Sequence, residues 1–144
     1  MNYTVIERCD KETEETLQPV TEQFLQKEVG YLKQKQKEFL YVESPDFNNI
    51  RVDAVVLECD DVFQTITALF GFKAQKKHRD AITTYLQENL NGAFSALFSG
   101  DEGLWEVNIT LDGMDSFNEE SSLADALQLV HSFVAQLADV VEAA

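Results

Sequence analysis

The chain has 144 residues, 44% hydrophobic and 10% aromatic, which supplies enough apolar material for one folded core and too much for a disordered chain. Twenty-six acidic residues against eleven basic ones leave a formal charge of −15, a field that excludes phosphate-backbone binding by the bulk surface. No stretch of ~18 apolar residues occurs, so no membrane span is expected. The start, Met1–Arg8, has neither the basic region nor the apolar run of a secretory signal. Two cysteines, Cys9 and Cys59, make no disulfide framework. A reduced, cytoplasmic compartment is the expectation.

Residues 11–30 read as a helix, with Leu17, Val20, Phe24 and Leu25 near helical spacing and Gly30 as its stop. Pro19 suits only a first turn, so residues 10–38 allow either one helix or two. From Phe39 the period changes to two. Phe39–Glu43 reads as a strand, and Ser44–Asn49 carries turn chemistry. Ile50, Val52, Ala54 and Val56 then alternate with Arg51, Asp53, Val55 and Leu57, which predicts a strand with one strongly apolar face. The segment 62–72 is apolar enough for a helix, but its β-branched residues and the Asp60-Asp61 break favour the second arm of a hairpin.

An amphipathic helix follows over about 74–90, with Ala81, Ile82, Tyr85, Leu86 and Leu90 as its buried stripe. Lys73, Lys76, Lys77 and Arg79 crowd its start, where cations oppose the helix dipole. Ala93–Ser99 and Leu104–Leu111 predict a hairpin closed by Gly100–Gly103. A last helix spans about 119–142, with Ser116 and Glu119 as a capping box and Asn118 as a rival cap. The expected fold is therefore α+β: helix, three-stranded antiparallel meander, helix, β-hairpin, helix. Residues 1–144 read as one domain, with a charged helical segment at 1–38 ahead of an α+β core at 39–142.

Catalytic chemistry finds little material. A nucleophile needs a base in reach, and only His78 and His131 are present. His131 lies inside the apolar period of the last helix and reads as a packing residue, while His78 is expected on the surface. Two cysteines and two histidines, widely separated, do not make a zinc site. Acidic loops such as Asp112–Asp115 lack the spaced oxygens of a calcium loop, with Met114 where an Asp or Asn should stand. No Gly-rich phosphate loop or Ser elbow occurs. The expectation is no enzyme, no cofactor and no metal.

The charge layout is uneven: beyond Arg79 no Lys or Arg follows, while acidic residues continue to Glu142. In residues 39–142 the order of elements resembles the YbjN-like family of bacterial regulators and the type III secretion chaperones for effectors. The resemblance lies in the strand pair Ile50–Cys59 and Val62–Phe72, the helix Lys76–Asn91, the hairpin Ala93–Asp112, and the closing helix with Phe133-Val134. It implies a non-enzymatic homodimer that holds a segment of a client protein against an apolar groove. Phe47, Val55 and Leu57 are the expected groove residues, the last two taken to face away from Val52 and Ala54. The alternative is an acidic nucleic-acid mimic that sequesters a basic DNA-binding protein, and a small-molecule enzyme is the remote third reading.

Overall fold

Strand periodicity dominates the chain. In the computed structural model, which describes residues 1–144, seven antiparallel strands form one open sheet: β1 (Val5–Asp10), β2 (Thr16–Pro19), β3 (Glu38–Glu43), β4 (Val52–Cys59), β5 (Ile66–Lys73), β6 (Phe94–Ser99) and β7 (Leu104–Thr110). Their spatial order is β2-β1-β3-β4-β5-β7-β6, so β4 lies at the centre and β2 and β6 form the edges. The helices are α1 (Tyr31–Gln34), α2 (Pro45–Asn48), α3 (Arg79–Asn89) and α4 (Leu123–Ala143). The α+β class stands. None of the helices is long and apolar enough to cross a membrane.

The expected first helix does not form, so the helical reading of residues 1–38 is corrected. Its place is taken by the β1–β2 hairpin, a 3₁₀ turn at Glu22–Gln26 and the single turn α1. Leu17, one of the residues at helical spacing, is 49% exposed on the edge strand. Arg8 explains part of this preference. It donates to both carboxylate oxygens of Glu38, at 2.8 and 2.9 Å, and to Gln18 at 2.7 Å. Tyr31 adds a hydrogen bond to the same carboxylate. A two-pronged, half-buried ion pair thus ties β1, β2, β3 and α1 together, which local helix propensity cannot match.

Three hairpin loops share one geometry. In Asp10–Glu14, Asp60–Gln64 and Ser99–Gly103 the N–H of the fifth residue donates to the C=O of the first. That fifth residue is left-handed each time, with φ of 64° at Glu14, 57° at Gln64 and 66° at Gly103. Asp10 and Asp60 brace their loops by accepting from the N–H groups two and three residues on. The second arm of the β4–β5 hairpin accordingly starts at Ile66, not Val62.

The helices pack on one face of the sheet. Nine residues of α4 are buried, and Tyr85 of α3 donates to the Phe133 carbonyl at 2.8 Å. The capping box of α4 is Ser122 with Asp125, not Ser116 with Glu119. The reason is the chain before it: Val29 and Gly30 donate to the carbonyls of Ser121 and Glu119, and Leu123 donates back to Lys27, which holds residues 119–121 in a turn and Ser122 in a bridge to Glu28, outside the helix. Close backbone contact also positions the β6 hairpin, since a Cβ on Gly113 would stand 2.5 Å from the Gly92 nitrogen.

Two outcomes follow. Arg8→Met should cost about 2 kcal/mol in urea denaturation at pH 7, by leaving a half-buried carboxylate unpaired. The pair holds Glu38 below its usual carboxylate range, chiefly through the Arg8 hydrogen bonds. Its contribution is therefore complete above the unfolded glutamate value of roughly 4.3 and disappears as pH falls through the lower folded value. The penalty of Arg8→Met should shrink accordingly below about pH 4. Separately, Glu14→Gly should stabilise the fold by roughly 0.5–1 kcal/mol, because glycine adopts the left-handed conformation without strain.

Candidate functional site

Antiparallel register sorts every strand residue onto one of two faces. Ile6, Val42, Val55, Phe70, Val107 and Ala96 form one continuous cross-strand row, and Leu40, Leu57, Ala68, Ile109 and Phe94 the next. Both rows lie under the helices, and apart from the partly buried Phe94 and Ala96 they are fully buried. The alternate row runs Glu7, Tyr41, Val56, Leu69, Asn108 and Ser95, and no member of it belongs to the buried core. The helix-free face thus carries three large apolar or aromatic side chains in register at its centre.

The register corrects the expected groove. Phe47, Val55 and Leu57 are all buried, Phe47 in α2 against the ring of His131 and the other two under the helices. The strand contains a bulge: its pairing with β5 shifts between Val52 and Val55, just after Arg51, whose φ is 71°. Val52 and Val55 therefore both point inward, and Ala54 and Val56 are turned outward. The pattern of residues showed two faces, but the bulge exchanged them.

The outward residues line a shallow cleft of ≈ 560 Å³ in which Val56, Leu69, Leu97 and Leu104 meet, with Asp53, Glu102 and Glu106 at its margin. Leu97 is 66% exposed. On the β3 side Tyr41 donates to Glu43 at 2.6 Å, and this bond together with burial pushes its hydroxyl up to about 12. It remains a neutral, aromatic surface at any physiological pH. Sequence reasoning missed Leu69 and Leu104. The available signal was that β5 and β7 place leucine among the polar residues of their outward positions.

A second concave region lies between the tips of the β1–β2 and β4–β5 hairpins. It is lined by Asp10, Glu12, Glu58, Asp60 and Asp61 against Lys11 and Lys37. Asp10 and Asp60 are committed to their own loops, and Lys11 joins the tips by donating to the Cys59 carbonyl and pairing with Asp61 at 3.1 Å. No three His, Cys, Asp or Glu side chains gather closely enough to hold a metal ion. Above the same tip Val62 and Phe63, turn residues where a strand is expected to start, stand 80% and 72% exposed.

The remaining candidates for chemistry are dispersed. Cys9 and Cys59 are buried and unbridged, and burial pushes both thiols up, so neither is poised as a thiolate. His131 is half-buried, with Nε2 3.2 Å from the Asp46 carbonyl oxygen. His78 is not the surface residue expected, since it is half-buried and its Nδ1 is enclosed without a partner. Comparison of the chain with known protein families, with curated proteins and with solved structures finds no match in any of the three.

Glu58 offers a test of the electrostatics here. Burial raises its carboxyl above the usual range, with Lys11 opposing and Asp61 and Asp60 adding to the rise. A raised folded value means that the ionised group opposes folding, so its stabilising protonation is present at low pH and lost as pH rises through that value. Glu58→Gln should therefore raise the urea midpoint at pH 7 and leave it nearly unchanged at pH 4.

Proposed function

We propose that the protein is a non-enzymatic binding module that holds a segment of a client protein against the helix-free face of its sheet. The observation that carries this reading is the in-register row of Tyr41, Val56 and Leu69, beside the cleft that Leu104 and Leu97 also line, with no helix over it. The solvated face of an antiparallel sheet normally alternates to polar residues, and a half-apolar face left open marks a place for a partner. The surrounding acid surplus keeps such a surface soluble. The resemblance to YbjN-like regulators and secretion chaperones supports the same reading, and the homodimer that it implies enters the proposal with it.

The test is capture from a lysate of the source organism, washed at low and then high salt, with wild type beside Leu69→Gln and Leu104→Gln. One protein retained near stoichiometrically by the wild type through high salt, and lost from both folded variants, is the expected result. Apolar contact resists salt, whereas charge-led contact is screened. Retention of a DNA-binding protein that salt or added DNA releases would replace this reading with charge mimicry. Sedimentation of the captured complex would report whether two copies of the 16.3 kDa chain take part.

A further inference from the structure

The two edges of the sheet are built differently. β2 has four residues and ends at Pro19, and it follows the acidic loop Glu12–Glu15. Its partner β1 also shifts register between Arg8 and Cys9. Proline, charge and irregular register are the usual means of blocking strand addition. The β6 edge has none of them. Phe94-Ser95-Ala96-Leu97-Phe98-Ser99 contains no charge, no proline and no glycine, and pairs with β7 without interruption.

Its free hydrogen-bonding groups can be assigned. The Ser99 carbonyl accepts from Gly103, and the Ala93 carbonyl accepts from the Thr110 hydroxyl at 2.8 Å, so residues of that parity face β7. Alternation then turns the N–H and C=O groups of Phe94, Ala96 and Phe98 outward. No backbone bond elsewhere in the molecule reaches these three residues. They form a straight, unoccupied ladder of six groups.

We propose that this edge receives an extended strand of a partner protein with Lys or Arg at alternate positions and apolar residues between them. This rests on the client-binding reading and adds the place and the chemistry of the client segment. Charge complementarity selects the occupant. Side chains of an added strand beside Ser95 and Leu97 stand on the helix-free face, next to Glu106, which is opposite Leu97, and near Glu102 in the β6–β7 loop. Neither Asp101, Glu102 nor Glu106 has an ion-pair partner.

Lys73, opposite Leu104 on β5, pairs with Asp53 at 2.8 Å, and Arg79 lies over the Trp105 ring at 5.3 Å. The alternate side chains of the added strand lie beside Phe94, Ala96 and Phe98, where apolar residues extend the core. A second copy would bring the same three acids against themselves, and like charge disfavours it.

The probe is a fluorescein-labelled (Lys-Val)4 peptide, titrated with the full chain and followed by anisotropy. It should bind, weaken by no more than several-fold between 50 and 300 mM salt because the backbone ladder and apolar side chains persist, and exceed a (Glu-Val)4 peptide at both. Ala96→Pro removes one outward N–H without touching the β7 ladder and should weaken binding at least about tenfold, while Ala96→Thr keeps it. Should the proline variant fail to fold, the same loss is expected from wild type with a peptide N-methylated at every second residue.

No binding of the Lys peptide, equal binding of both peptides, or binding untouched by both Ala96→Pro and methylation would overturn the proposal. A dimer that Ala96→Pro dissociates and the peptide does not would assign the edge to a second copy instead. If client capture is lost with Leu69→Gln but kept with Ala96→Pro, the edge proposal falls and the binding face of the sheet stands.

Discussion

The bulge in β4 between Val52 and Val55 decides which side of the sheet is core. β4 is the middle of seven strands, and register passes its phase to every neighbour. With Val55 and Leu57 inward, Val42, Leu40, Phe70 and Ala68 must be inward as well. The same constraint places Tyr41, Val56 and Leu69 outward. The helices cover the first set, so the apolar content of the second is left to meet something else.

Charge reinforces the asymmetry. Arg8, Lys11, Lys33 and Arg51 each pair with an acid far away in the chain: Glu38, Asp61, Asp112 with Glu119, and Glu142. These cations fasten strands, loops and the start and end of α4. The acids of the β6–β7 hairpin are left without such partners, in a stretch of chain that contains neither Lys nor Arg. Three unpaired acids, Asp101, Glu102 and Glu106, thereby stand beside the one sheet edge that lacks any protection. Side chains that hold the fold and side chains that can recognise a cationic strand are separated along the sequence.

Much of the molecule was legible from residue order. The strands β3, β4, β6 and β7, the helices α3 and α4, and the buried stripe of Ile82, Tyr85 and Leu86 follow from periods of two and 3.6. The N-terminal hairpin was not legible, because Leu17, Val20, Phe24 and Leu25 fall at helical spacing. What excludes the helix is a set of long-range bonds, above all Arg8 to Glu38 and the pairing of β1 with β3. The Ser122–Asp125 cap was hidden in the same way, by backbone pairing with residues 27–30.

By itself the sequence determined the α+β class, the acid surplus and its position, and the presence of apolar residues at both parities of the central strand. Periodicity and composition are local quantities, and these features depend on nothing more. Only the tertiary structure decided which parity is buried, because a single extra residue at the bulge reverses the assignment and its effect appears only against a paired strand. It likewise decided that β6, the sixth strand in the chain, lies at the edge, since α3 carries the chain past β7 before the hairpin returns. An edge is defined by the absence of a neighbour, which no residue pattern specifies.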